Sequence, residues 1–288
     1  MIVNRGLPAN PLYEDRGVGS KVGMMSGRRA KPEDGAIEGD ASSPSGALLR
    51  GLEVLQAFGP DRDVLGNADI AAATGLPKPT VSRLTRALVD AGYLDYEPVR
   101  GKYQLRPRVL TLGFSLLSNM KILPMAHEQL QRLATASGCT VSLAWPDAPN
   151  MIYLDRCTGE VMPYFFSVGS AVDMARTATG RAYIAALEPV ARTTLLASLA
   201  RHRPDDWDSA AAGIEQAVAD VAEKGFCFVD NTWRRNIRGI AAPLVSRDGR
   251  TRMSVNCVTT TFAMTSEMLV TKWGPMLANM AQALSDHL

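Results

Sequence analysis

From Ala47 onward the chain settles into a helical rhythm. Leu48, Leu52 and Leu55, with Leu49 and Phe58, recur at helical spacing, and Gly59-Pro60 ends the run. A second, shorter helix over 68–74 carries Ile70 and Ala71 inward and stops at Gly75, a residue suited to the left-handed turn after a helix. Pro77 and Pro79 suit the first turn of a third helix, where an absent N–H costs nothing. That helix is predicted to run to about Ala91 and to stop at Gly92. On a helical wheel Val81, Leu84, Leu88 and Ala91 share one side, while Lys78, Ser82 and Arg86 lie opposite with Arg83 at the edge. YLDY (93–96) and KYQL (102–105) then read as two short strands around the turn EPVRG.

The stretch VLTLGFSLLSNMKIL (109–123) is amphipathic and predicts a linker helix that also contacts a second subunit, with ordinary core as the alternative. After it the pattern changes. A helix over 124–137 ends at Gly138, and CTVSLAW and MIYLDRC flank PDAPN as a hairpin. VMPYFFSVG (161–169) reads as a strand, TATGRAYIAALE (177–188) as a helix, and helices are predicted near 190–200 and 209–224. GFCFVD, IRGIAAPLVS and TRMSVNCV read as strands, with SRDGR linking the last two, and a final helix carries Met268, Leu277 and Leu284. Antiparallel strands with helices on their faces predict an α+β sandwich. Residues 1–45, rich in Gly, Pro, Ser and mixed charge, show no sustained period and predict a disordered arm. Within that arm GVGSKVG follows no apolar strand and lacks a Gly-Lys-Ser/Thr ending, so it is not a phosphate loop.

At 288 residues and 46% apolar content the chain has room for two ordinary domains. It has no apolar run long enough to span a membrane and no secretory pattern at its start, so cytoplasm is the expectation. Cys139, Cys157, Cys227 and Cys257 form no Cys-x-x-Cys pair and are expected to be reduced core residues. His127, His202 and His287 have no metal-ligand spacing and are expected at the surface; no cofactor and no metal are expected. The net charge of +2 falls wholly within residues 47–119, and no acid interrupts the span from Pro77 to Val89.

Two helices joined by a tight glycine turn, the second apolar below and basic above, with a hairpin behind them, predict a winged helix-turn-helix. Arg and Lys reach guanine in the major groove, hydroxyls bond phosphate or base edges, and short side chains let the helix approach. The candidate DNA-contacting residues are Lys78, Thr80, Ser82, Arg83 and Arg86 on the helix, with Arg100 and Lys102 on the wing.

These segments resemble the isocitrate-lyase-regulator (IclR) family of bacterial transcription factors. The resemblance rests on LLRGLEVLQAF, ADIAAATGLPKPTVSRLTRALVDAGYL and KYQLRPRVLTLG in the first half. In the second it rests on VGSAVDMARTATGRAYIAAL, KGFCFVD and IRGIAAPL. It implies a winged helix-turn-helix over 46–108, a linker helix over 109–123 and a GAF-like effector-binding domain over 124–288. It further implies a homodimer or dimer of dimers on double-stranded promoter DNA, controlling a catabolic operon in response to a small organic acid. The same resemblance places the effector at Thr177, Ala178, Thr179 and Gly180, where backbone N–H groups at a helix start can hold a carboxylate, and at Asp230. Gly239 stands where many members have cysteine, Asn256 and Val258 where they have serine, and Asp173-Met174-Ala175 where Pro-Leu-His is common. Those departures imply a roomier, differently polar pocket, and a bulkier or aromatic acid in place of a small keto acid.

Other clusters have plainer expectations. Arg234, Arg235 and Arg238 read as a solvated loop, with pairing to an acid effector as the alternative, and Asp205, Asp206 and Asp208 as an acidic helix start. Two other functions stay open: an enzyme using Cys227 or Cys257 as nucleophile, and an effector-independent architectural DNA binder.

Overall fold

The computed structural model describes residues 44–159 and 167–288. Nearly all of the predicted arm and most of the predicted strand over 161–169 lie outside the described residues. Helix α1 (Pro44–Gln56) turns Val54 inward, and Ala57 and Phe58 follow it into the core. Leu48, Leu49 and Leu52 are instead 66, 55 and 44% exposed. Helical spacing shows that a face is apolar and does not say what covers it; the neighbouring helices cover only the C-terminal half of α1.

A three-residue strand, β1 (Val64–Gly66), then leads into α2 (Asn67–Thr74). It is too short to carry a period and was not legible in the sequence. Gly75 takes φ +72° and donates its N–H to Ala71 O at 2.9 Å, a left-handed turn that a side chain would strain. Helix α3 (Lys78–Asp90) follows, then β2 (Leu94–Glu97) and β3 (Lys102–Leu105). The sheet order is β1-β3-β2, so the hairpin wing is extended by a third strand. Val81 of α3 is fully buried among Val54, Ile70, Leu94 and Tyr103, while Leu84 and Leu88 are half-buried. Ala91, expected inward, is exposed, and Thr85 takes a core place instead, bonding Val81 O at 3.0 Å.

The linker is not one helix over 109–123. A short 3₁₀ turn (Pro107–Val109) opens into α4 (Leu110–Asn119), and α5 (Ile122–Ser137) starts after a bend of 89°. The reason lies in Pro124. A proline inside a helix clashes with the carbonyl four residues before it, which here is Met120, and Met120 has extended backbone (ψ 93°). Restarting at Ile122 puts Pro124 in the first turn, where it is tolerated. Among the described residues no single helix is long and apolar enough to cross a membrane.

The second half is an antiparallel sheet sandwiched between helices. In chain order come β4 (Thr140–Asp147), β5 (Asn150–Thr158), β6 (Ala171–Asp173), α6 (Ala178–Ala185), α7 (Pro189–His202) and α8 (Trp207–Lys224). They are followed by β7 (Cys227–Asp230), β8 (Ile237–Val245), β9 (Arg252–Thr260), α9 (Ser266–Met268), a π-helical turn (Leu269–Trp273) and α10 (Gly274–Ser285). The strand order is β6-β5-β4-β9-β8-β7. Leu277 and Leu284 are buried as expected of the last helix, whereas Met268, on the separate short turn, is 49% exposed.

Side chains alternate between the two faces of each strand. Val141, Leu143, Ile240, Ala242, Met253, Val255 and Cys257 pack against α5 and α10. The intervening Ser142, Ala241, Ser254 and Asn256 face α6, whose start is pressed onto the sheet. Gly180 sits at that start, and a Cβ there would fall inside contact distance of the Met174 backbone. Gly180→Ala is therefore expected to destabilise the protein by about 1–3 kcal/mol, as overpacking against unyielding backbone does. Urea unfolding at equilibrium measures it, and an unchanged midpoint would contradict the packing argument.

Candidate DNA-binding helix and effector cavity

The outer face of α3 is set by what anchors the inner one. Val81 and Thr85 are buried at a spacing of four, and Thr85 Oγ1 also lies 3.4 Å from Asn67 Oδ1 on α2. That fixes the rotation of α3, so Lys78, Ser82, Arg83 and Arg86 are exposed together, with Thr80 half-exposed beside them. At the helix end Arg108, which sequence reasoning passed over, donates to Ala91 O at 2.9 Å and lies 5.6 Å from the Tyr93 ring centre. A cation there complements the carbonyl end of α3.

The wing residues differ from one another. Arg100 is largely exposed and only loosely paired with Glu97 at 3.6 Å, a contact worth little in water. Lys102 is half-buried and its ammonium sits 2.6 Å from Asp69 Oδ2, which also accepts the Gly66 N–H at 2.8 Å. Lys102 first, and then Gly66, holds the Asp69 carboxyl below its ordinary value. Lys102 thus braces β3 against the start of α2, and part of its charge is already answered.

The α6 side of the large sheet encloses a cavity of about 170 Å³. Of the residues predicted for an effector, Thr177, Ala178, Thr179, Gly239 and Asn256 line it. Gly180 and Asp230 do not. Gly180 is spent on packing, and its N–H is capped by Thr177 Oγ1 at 3.2 Å. The Asp230 carboxylate accepts from Arg238 Nη2 at 3.2 Å and from the Asn231 side chain at 2.8 Å, so it orients an arginine of the wall from behind. The N–H groups of Ala178 and Thr179, at the open end of α6, have no acceptor among the described residues.

Asn256 is the centre of the floor. It is 1% exposed, and its Nδ2 donates to Tyr153 Oη at 2.9 Å and Thr179 Oγ1 at 2.7 Å. Burial pushes the Tyr153 hydroxyl above its ordinary range, so it stays neutral. Asn256 Oδ1, Thr140 Oγ1 and Arg238 Nε are buried on this wall without a hydrogen-bond partner among the described residues. An unsatisfied buried polar atom costs about 1–3 kcal/mol, and these three belong to residues that line the cavity. Arg156, Arg234, Arg235 and Arg238 also line the cavity, and Arg234 stacks 4.8 Å from the Trp233 ring centre. Arg234 and Arg235 are exposed, as expected of a solvated loop, while the Arg238 side chain is only 12% exposed and pairs with Asp230. Arg234 and Arg235 belong to the turn between β7 and β8, and Arg238 to the start of β8.

Ser142, Tyr153, Arg156 and Trp233 were not singled out from the sequence, although polar residues alternating within apolar strands, Thr140 and Ser142 above all, carried a signal. The cysteines proposed as nucleophiles are unsuited to attack. Burial pushes Cys227 up to about 12, and its thiol donates to Ala178 O at 3.4 Å. Cys257, fully buried, is raised by its hydrogen bond with Cys139 and by burial. Both thiols stay protonated at neutral pH, and the thiolate is the nucleophile.

Comparison with known proteins agrees with this architecture. Residues 47–98 match the model of the IclR helix-turn-helix domain, and residues 114–286 match that of the bacterial transcriptional regulator IclR C-terminal region. A crystal structure of an IclR family transcriptional regulator from Brucella abortus superposes with a TM-score of 0.78 at 37% identity, covering 89% of this chain and 97% of that one. The HTH-type transcriptional regulator TsaQ1/TsaQ2 of Comamonas testosteroni is 28% identical over 84% of this chain and 88% of its own length. The p-hydroxybenzoate hydroxylase transcriptional activator of Acinetobacter baylyi is 26% identical over 83% of this chain and 90% of its own. A basic-faced helix beside a wing braced on α2, an arginine-lined cavity on a helix-covered sheet and two family models spanning both halves lead to one conclusion: the chain belongs to the IclR family of bacterial transcriptional regulators.

Proposed function

We propose that this DNA-binding regulator answers to a monocyclic, aromatic-sized organic acid held in the α6 cavity. The observation that carries the reading is the cavity itself. A cavity of roughly 150 Å³ is enough for benzene, and the one here is about 170 Å³ with three orphan polar atoms and four arginines on its wall. A carboxylate would meet the arginines or the amides of Ala178 and Thr179, and a ring hydroxyl would find Asn256 Oδ1 and Thr140 Oγ1. The name of the Acinetobacter relative, which ties it to a hydroxylase of an aromatic acid, supports the same class.

In this reading residues 46–108 bind promoter DNA, residues 109–123 link, and residues 124–288 bind effector. Lys78, Thr80, Ser82, Arg83 and Arg86 face the major groove, while Arg100 and Lys102 meet phosphate. The exposed leucines of α1, with Leu110, Leu112, Phe114 and Leu116 of α4 at 72, 55, 70 and 58% exposure, support a dimer that covers them. Effector and operator then each favour one arrangement of that dimer, and binding of one shifts the other. The place of action is the cytoplasm.

Three outcomes are expected. Arg86→Ala should lose about 1–3 kcal/mol on operator DNA and relax specificity, whereas Lys102→Ala should weaken all sequences alike and flatten the salt dependence; competition binding on specific and random duplexes separates them. Titration calorimetry should show benzoate-like acids binding more tightly than glyoxylate, with Asn256→Ala reducing affinity for ring-hydroxylated acids most; preference for glyoxylate would overturn the effector class. Phe114→Glu should move the protein toward monomer by light scattering, and an unchanged mass would place the dimer contact elsewhere.

A further inference from the structure

The face of the sheet opposite the cavity holds a second cluster of chemically capable side chains. Asp155 and Cys157 stand two apart on β5, on the side that packs against α5, and His127 reaches them from α5. His127 Nδ1 lies 3.0 Å from Asp155 Oδ2, 3.1 Å from Asp155 Oδ1 and 3.7 Å from Cys157 Sγ. The three ligand atoms, one from each residue, all fall within 4.8 Å of one another. None of these residues takes part in the DNA face or the effector cavity.

These separations are close to those around a tetrahedral ion. With Zn–N, Zn–O and Zn–S bonds of roughly 2.0, 2.1 and 2.3 Å, neighbouring N and O ligands lie about 3.4 Å apart and N and S about 3.6 Å apart. The two separations from His127 fit within a few tenths of an ångström, and the carboxylate oxygen and the sulfur lie within 4.8 Å of each other, against about 3.6 Å around a zinc ion. The donor set also selects the metal: imidazole and thiolate favour zinc-like ions, while calcium and magnesium prefer oxygen. Support behind the ligands is present as well. The Arg156 N–H donates to Asp155 Oδ1 at 2.7 Å, which orients the carboxylate and leaves Oδ2 toward the histidine. Ala126 and Leu130, both 0% exposed, seat α5 on the sheet and fix where His127 can reach.

We propose that His127, Asp155 and Cys157 bind one zinc ion per chain, clamping α5 to β5. The fourth position faces solvent, since the His127 side chain is 58% exposed, and water completes the tetrahedron.

The test uses chelator-treated full-length protein titrated with Zn²⁺ by calorimetry and with Co²⁺ by absorption. Expected are one equivalent of tight binding, and for cobalt a near-ultraviolet thiolate charge-transfer band with the visible bands of four-coordination. His127→Ala, its metal-free melting measured beside the parent's to separate loss of the Asp155 contact from loss of metal, is expected to weaken zinc by about 100-fold or more, beyond the usual loss from an outer support. Cys157→Ser should abolish the charge-transfer band. Failure of the parent to take up one equivalent of zinc, a cobalt spectrum without the thiolate band, or unchanged affinity in His127→Ala would each overturn the site. Should Cys157→Ser fold poorly, His127→Ala and the parent's cobalt spectrum decide alone.

Discussion

The architecture of the C-terminal half depends on the strict alternation of β4, β8 and β9 between two environments. Every second residue is committed to the apolar layer under α5 and α10, so the residues between them must face α6. There the sheet is held by polar bonds: Ser254 Oγ donates to Thr179 O at 2.9 Å and Asn256 Nδ2 to Thr179 Oγ1 at 2.7 Å. Buried polar groups tolerate such a place only when satisfied. The bonds that fasten α6 therefore also fix where the cavity opens.

The same economy of placement governs the N-terminal half. Val81 and Thr85 lock the rotation of α3, and Gly75 sets its angle to α2. Arginines and lysine then stand outward because no other face remains to them. Lys102 shows how a fold can give one charge two calls on it. Its position on the wing suggests phosphate, yet its nearest neighbour in the fold is an acid thirty-three residues away on α2. Coulombic bracing and DNA contact draw on one ammonium.

Much of this was legible without coordinates. The helices, the hairpins and the three late strands follow from periodicity and from glycine and proline positions, and the IclR resemblance rightly implied the two-part α+β fold. What misled was local information asked to answer non-local questions. Leucines on α1 announce an apolar face but not its partner. The solvated-loop reading holds for the exposed Arg234 and Arg235 but could not show that they and Arg238 line a cavity with residues of distant strands. Asp230 was placed on the cavity wall, whereas its carboxylate is turned to Arg238.

By itself the sequence determined most of the helices and strands, their order and the basic face of α3. These depend on spacings of a few residues, within which backbone geometry is nearly fixed. Only the tertiary structure decided which polar atoms are left unpaired around the cavity, that Pro124 bends the linker at Met120, and that His127 meets Asp155 and Cys157. Those depend on strands and helices far apart in the chain lying side by side, and hydrophobic burial, which drives them together, is blind to sequence distance.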